Sequence, residues 1–255
     1  ITCRDWSSDV CSSDLASRHD KQSDGSGMGS SFHLVLLCKN YEGYKNLMKL
    51  VSAGYTEGFY YKPRIDKAPL AEHREGLVAL SACLKGEVAS RYVRENREKA
   101  RLALQSYLDI FGDDFYLEVQ NHGIGDEEKA RIGLLELAQE TGVKAVATND
   151  IHYLKREHSE AHDVLLCLQT GKDYDDPTRM RYNTSELYFK SAEEMAALFP
   201  GHPELLAHTL EVADKCHLEM PFDVLHQPVF TTPGSEGTIS LDDYLEKLAN
   251  EGMRQ

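Results

Sequence analysis

Four side chains of types that commonly bind transition metals follow three apolar runs of the sequence. They are Cys83 after 77–80, His122 after 115–119, and Asp150 and His152 after 145–148. In parallel α/β folds, catalytic groups lie just past the carboxyl ends of strands. Imidazole, carboxylate and thiolate together suit zinc or another transition metal, and an Asp-x-His pair can bind one or two ions from one turn. The spacing therefore indicates a metal site at one end of a sheet.

Each of these residues also has an ordinary structural interpretation, which the spacing leaves open. An Asp-x-His can be a turn residue beside a surface histidine, His122 can form a turn, and Cys83 can be a small buried hydrophobe. His158 and His162 lie four residues apart on one predicted helix face, where a solvated pair is the simpler interpretation. The other histidines form no constellation and are interpreted as structural or surface residues: His19, His33, His73, His202, His208, His217 and His226.

The elements that must position these residues alternate between strands and helices. Short apolar runs predict strands at 34–37, 77–80, 115–119 and 145–148. Helical periodicity and end signals predict helices at 87–94, 97–111, 126–141 and 157–170. This alternation predicts a parallel α/β sheet or barrel.

The alternation weakens after Gly171. Ser191 and Glu194 form a capping-box pattern, and Pro203 begins a helix to about residue 216. We predict a partial domain over 16–218, a Pro- and Gly-rich linker over 219–239, and the start of a following domain over 240–255, where Ser240 caps the last helix.

Composition excludes several classes of protein. The 255 residues carry a formal net charge of −14, which argues against a nucleic-acid binder that relies on bulk positive charge. Hydrophobic residues at 41% and charged residues at 27% indicate a globular chain, and no apolar run reaches the roughly 18 residues of a membrane span. Six scattered cysteines do not form a secreted disulfide framework, so a reducing cytoplasm is expected.

Residues 1–15 differ in character from the rest. They repeat Ser-Ser-Asp at 7–9 and 12–14 and contain no basic or apolar region of a signal peptide. Residues 5–15 resemble a translated sequencing adapter. We therefore interpret 1–15 as a foreign sequence and assign it no chemistry.

The segment 58–64, Gly-Phe-Tyr-Tyr-Lys-Pro-Arg, interleaves aromatic and basic residues. Such a segment can stack on bases and pair with phosphates. The alternative, which is the simpler one, is a surface loop whose tyrosines pack on the rim of the domain.

Five segments together resemble one known family. They are SSFHLVLLCKNYEGYKNL at 30–47, GFYYKPRID at 58–66, FYLEVQNHG at 115–123, ATNDIHY at 147–153 and AHDVLLCLQTG at 161–171. They are similar to the amino-terminal polymerase and histidinol phosphatase (PHP) domain of bacterial DNA polymerase III alpha subunits. The resemblance extends from about Ser30 to the end of the chain.

The resemblance implies a distorted (β/α)7 barrel with metal ligands at Cys83, His122, Asp150 and His152, holding zinc or manganese. The family's earlier ligands, which include a His-x-His, would lie upstream of residue 16, where nothing matches them. The resemblance therefore predicts a barrel that lacks its first strands, an incomplete site and a fragment that is inactive alone. The polymerase site, which uses magnesium, would lie beyond Gln255.

The intact protein is expected, on this resemblance, to be a DNA-directed DNA polymerase that acts on primer-template and deoxynucleotides with other holoenzyme subunits. For the PHP domain two roles stay open. It is either a metal-dependent 3′–5′ proofreading exonuclease, which the retained ligands favour, or a silent scaffold that docks a separate exonuclease subunit. A stand-alone phosphatase is disfavoured by the insertion at 54–76 and the linker.

Overall fold

The computed structural model describes residues 11–13, 17–20, 31–225, 227, 230–233 and 239–254. The chain divides into two compact units, Ile1–Glu219 and Met220–Gln255. No helix in the described ranges is long and apolar enough to cross a membrane. Residues 1–10, most of the segment interpreted as foreign, lie outside the described part. Residues 11–13 form a strand, and the foreign origin of 1–15 stays a prediction.

The first unit contains short strands and longer helices in alternation. The described strands are β1 (Cys11–Ser13), β2 (Ser31–His33), β3 (Val35–Cys38), β4 (Arg64–Ile65), β5 (Leu77–Leu80), β6 (Phe115–Val119) and β7 (Ala145–Ala147). The described helices are α1 (Tyr41–Thr56), α2 (Lys67–Glu72), α3 (Glu87–Arg94), α4 (Arg97–Phe111), α5 (Gly125–Thr141), α6 (Ser159–Thr170), α7 (Ala192–Leu198) and α8 (Pro203–Lys215). The second unit contains α9 (Leu241–Gly252).

The strands form two sheets in the described part of the chain. One has the order β3-β5-β6-β7, in which β5, β6 and β7 are parallel and β3 is antiparallel to β5. The other has the order β2-β1-β4, with β1 antiparallel to β2 and parallel to β4. The fold is therefore mixed α/β with a parallel sheet, as predicted, except that β3 is an antiparallel edge strand.

Strands β5 and β6 form the centre of the core. Every residue of both strands is buried, which is expected for parallel strands covered on both faces. Helix α4 packs against them, and its Tyr107 ring stacks on Phe115 of β6 with ring centroids 5.1 Å apart. These rigid strands fix the positions of the loops that follow them.

Three of the predicted helix ends are confirmed, and one predicted start differs. Gly142 ends α5 in a left-handed conformation with φ of 76°. The capping box of Ser191 and Glu194 begins α7, and the Ser240 side chain caps α9. Helix α6 begins at Ser159 rather than at 157, because a 3₁₀ turn occupies Arg156–His158.

Candidate functional site

The four predicted metal ligands lie in the loops that follow β5, β6 and β7. Because these strands are parallel neighbours, the three loops share the carboxyl edge of one sheet. The prediction that these loops lie at one end of a sheet is therefore confirmed. The side-chain contacts within them differ from one ligand to the next.

Cys83 lies beside His33, a residue that the sequence analysis set aside. The Cys83 Sγ is 3.8 Å from the His33 Nδ1, and the His33 amide donates to the carbonyl of Lys85 at 2.9 Å. Burial, and then the charges of Asp150 and Glu118, raise the pKa of the Cys83 thiol to about 11. His33 was missed because its partner lies 50 residues away in the chain.

Glu118 is a buried carboxylate at this edge that the sequence analysis did not single out. Its Oε1 accepts hydrogen bonds from the Thr148 hydroxyl at 2.5 Å and from the Gln120 Nε2 at 3.3 Å. Its Oε2 has no hydrogen-bond partner within the described structure. Burial, with a smaller contribution from Asp150, raises the pKa of Glu118, while the hydrogen bonds from Thr148 and Gln120 and the nearby Ala82 backbone oppose this rise. The available signal was a charged residue inside the otherwise apolar run 115–119.

His122 is buried between a carboxylate and an amide. Its Nδ1 is 2.9 Å from the Glu127 Oε1, and its backbone N–H donates to the Glu127 Oε2 at 2.8 Å. Its Nε2 is 3.1 Å from the Asn149 Oδ1. The Asn149 amide is oriented by the Tyr188 carbonyl, to which it donates, and by the Lys190 ammonium, which donates to its Oδ1. A carboxylate on one histidine nitrogen is typical of metal ligands, but here Asn149 occupies the other nitrogen.

The His152 ring contacts the backbone of Asp150 and the side chain of Tyr182. The His152 Nδ1 is 2.7 Å from the backbone oxygen of Asp150, and its Nε2 is 3.2 Å from the Tyr182 hydroxyl. The His162 ring packs edge-on against His152 with centroids 5.2 Å apart. The interpretation of a solvated pair holds for His158, which is exposed, and is wrong for His162.

No three of the described His, Cys, Asp and Glu side chains converge on a point that could hold a metal ion. The physical reason is that His122 and His152 direct their ring nitrogens to Glu127, Asn149 and Tyr182 instead. The donor chemistry nevertheless fits a cation, because thiol, imidazole and carboxylate groups share one edge with an unbonded Glu118 oxygen. The ligand roles of the four residues stay a prediction.

A narrow cavity reaches this edge of the sheet. Its lining includes Cys83, Glu118, Gln120 and Glu127. A larger groove of about 720 Å³ lies between α5 and α8 and contains none of the predicted ligands. Of the four predicted ligands, Cys83 lines the narrow cavity, and none lines the larger groove.

Among known protein families, the PHP domain family matches residues 10–122, so this part of the chain is similar to a PHP domain. The chain is also similar over most of its length to DNA polymerase III alpha subunits. It is 40% identical over 223 residues to that of Treponema pallidum, 42% over 227 to that of Borreliella burgdorferi and 41% over 244 to that of Thermus aquaticus. These matches cover 87%, 88% and 93% of the chain, and confirm the resemblance stated from its motifs.

The chain spans about one fifth of the length of these relatives, namely 19%, 19% and 20%. The match to the PHP family begins within residues 1–15, and strand β1 lies in that segment.

Proposed function

We propose that the chain is part of a replicative DNA polymerase alpha subunit located in the cytoplasm. The intact protein adds deoxynucleotides to a primer-template by two-metal phosphoryl transfer, with magnesium bound outside this chain and other holoenzyme subunits as partners. Support comes from 40–42% identity to three alpha subunits. We further propose that 16–218 belongs to a distorted (β/α)7 barrel, with 219–239 a linker and 240–255 the start of the next domain.

We propose that the PHP domain binds divalent metal and hydrolyses phosphodiesters in the 3′–5′ direction. The observation that carries this proposal is Glu118, a buried carboxylate whose Oε2 has no partner within the described structure. A buried charged group is costly unless it is paired or coordinates a metal. The charge of Asp150 raises the pKa of both Glu118 and Cys83, so the three groups lie close enough to interact electrostatically. Carboxylate and thiolate groups are both metal donors.

The residues of the chain have distinct tasks in this proposal. Cys83, His122, Asp150 and His152 hold zinc or manganese, with His33 added to the set because it contacts Cys83. When bound, such ions lower the pKa of a water and stabilise negative charge on a phosphodiester.

The neighbouring residues orient these ligands. Glu127 accepts from the His122 Nδ1 and so directs the Nε2 toward Asn149, while Tyr182 occupies the Nε2 of His152. Metal binding through Nε2 therefore requires that Asn149 and Tyr182 give up these contacts.

A silent scaffold is the second candidate. It is favoured by the ring nitrogens of His122 and His152, each of which already has a partner in the protein. In this role the domain stabilises the polymerase and docks a separate exonuclease subunit.

Metal content and hydrolysis distinguish the two candidates. The full-length parent is purified, its zinc and manganese are counted by mass spectrometry, and 3′ hydrolysis of a mismatched primer is assayed. Asp150→Asn and His152→Ala are expected to lose metal and hydrolysis while polymerisation remains. Asp175→Asn and His158→Ala, which change exposed residues of the same types, serve as matched controls.

Bound metal with hydrolysis lost only in the first pair would support the exonuclease. Wild-type protein without metal or hydrolysis would leave only the scaffold.

A further inference from the structure

Three aromatic rings at the end of α1 and in the segment that joins it to β4 project into solvent. We call residues 55–64, which include the last two residues of α1 and the first residue of β4, the aromatic loop. Within it Tyr55 is 51% exposed, Phe59 is 49% exposed and Tyr61 is 85% exposed. The interpretation in which this segment packs its tyrosines on the rim is therefore wrong for the ring that is most exposed, Tyr61. The alternative, contact with nucleic acid, remains.

The rings of the aromatic loop form two neighbouring pairs. Tyr55 and Phe59 lie nearly parallel, with centroids 6.3 Å apart and planes 25° apart. Tyr60 and Tyr61 meet edge to face, with centroids 4.7 Å apart. Successive bases of a single strand stack on aromatic side chains of this kind, independently of sequence.

The backbone of the aromatic loop is held in place before any ligand binds. Arg64 is buried, its guanidinium lies 5.2 Å from the centroid of the Tyr60 ring, and it donates to the carbonyl oxygens of Gly58 and Asp20. A Cβ at Gly58 would lie 1.9 Å from the Arg64 carbonyl oxygen, so glycine is required there.

A tight turn presents the outermost ring. The Tyr60 amide donates to the Lys62 carbonyl at 3.0 Å, which leaves Tyr61 at the apex with φ of 59°. The αL conformation is uncommon for tyrosine. A fixed loop lowers the entropic cost of binding a flexible strand.

The charge near the aromatic rings is suited to the phosphate backbone of a nucleic acid, although the chain as a whole is acidic. Lys62 is exposed and forms no ion pair within the described ranges. The nearby acidic residue Glu57 is paired with Arg18, whose guanidinium nitrogen is 2.6 Å from its carboxylate. A phosphate therefore meets a lysine without an adjacent unpaired carboxylate from this segment.

We propose that the aromatic loop binds single-stranded DNA. Bases stack on Phe59 and Tyr61, and the Lys62 ammonium pairs with a backbone phosphate. The choice of DNA over RNA rests on the proposed polymerase function. The contact itself uses neither the predicted metal ligands nor a metal ion.

The test measures binding of a labelled twelve-residue oligothymidylate to the 255-residue chain by fluorescence anisotropy at low salt. EDTA is present, so the outcome is independent of the metal-site proposal. Tyr61→Ala and Phe59→Ala are each expected to weaken the Kd by about fivefold to 150-fold, since base stacking is worth about 1–3 kcal/mol per base. Tyr61→Phe keeps the ring and is expected to bind like the wild type.

Phe222→Ala removes an 89% exposed ring outside the aromatic loop and is the matched control, with circular dichroism to verify folding. Lys62→Gln is expected to reduce the salt slope by about 0.7, the value for one phosphate contact on a single strand. Absence of wild-type binding, or an equal Kd for wild type and Tyr61→Ala, overturns the proposal. Tighter loop-dependent binding of oligouridylate overturns the assignment to DNA.

Discussion

Replacing Glu118 by glutamine should stabilise the metal-free chain. The carboxylate is 6% exposed, its Oε1 accepts two hydrogen bonds, and its Oε2 has none within the described structure. Glutamine retains an oxygen for Thr148 and Gln120 and removes the buried negative charge beside Asp150. The glutamine amide nitrogen takes the partnerless Oε2 position, so the gain is the excess cost of the charge, because an unsatisfied buried group costs about 1–3 kcal/mol and a charged one costs more. For a protein of this size, about 2 kcal/mol corresponds to a rise in Tm of roughly 4–8 °C.

The matched control is the same substitution at Glu87, which is equally buried at 6% exposure. Glu87 accepts from the Tyr107 hydroxyl at 2.9 Å and the Arg91 Nε at 3.1 Å, and its Oε2 is 2.9 Å from the Lys67 Nζ. Glu87→Gln removes the charge that these groups require and should destabilise by about 1–3 kcal/mol. Tm is measured by circular dichroism for wild type and both variants in EDTA.

The pH dependence gives the sign of the Glu118 effect. Burial raises the pKa of this carboxyl, so the folded state binds its proton more tightly than the unfolded state does. Stability from this group is present below the unfolded pKa of about 4.3 and is lost as pH rises through the folded pKa. The advantage of Glu118→Gln should therefore grow above pH 4.3. A variant less stable than wild type at pH 7, or an advantage that shrinks with rising pH, would refute the reasoning.

Two further predictions concern packing and charge elsewhere in the first unit. Gly43→Ala should lower the free energy of unfolding by about 1–3 kcal/mol, because the added Cβ would lie 1.9 Å from the Gly76 carbonyl oxygen. An unchanged midpoint of urea unfolding would contradict this prediction. Burial opposes ionisation of Asp114, but hydrogen bonds from Lys39 and Lys215 outweigh it and lower the pKa of Asp114. The wild type should therefore be more stable than Asp114→Asn by about 1 kcal/mol in urea unfolding at pH 7. This advantage should be lost as pH falls below about 3.9. A stability difference that does not change with pH would contradict the proposed pairing of Asp114 with the two lysines.

The central strands and helices were predictable because their signals are local. The apolar runs at 77–80 and 115–119 are β5 and β6, and the periodic segments 87–94 and 97–111 are α3 and α4. Helix α2 was not predicted because it has six residues and contains Pro69. The antiparallel direction of β3 follows from its pairing with β5, which no local pattern encodes.

The site was predictable only at the level of its loops. The residues that follow β5, β6 and β7 share an edge because parallel neighbours end together. The contact between His33 and Cys83 joins residues 50 positions apart, and periodicity cannot indicate it. Glu118 could have been found from its charge inside an apolar run, but its partnerless oxygen depends on contacts that no local pattern encodes.

Glu118 distinguishes the metal-dependent exonuclease from the silent scaffold better than His122 and His152 do. His122 and His152 are satisfied by protein groups, which is compatible with a scaffold and equally with ligands that await a metal. A scaffold gains nothing from a buried carboxylate oxygen without a partner, since this fold satisfies the equally buried Glu87 with three donors. The contrast between these two carboxylates therefore favours a cation at the carboxyl edge of β5, β6 and β7.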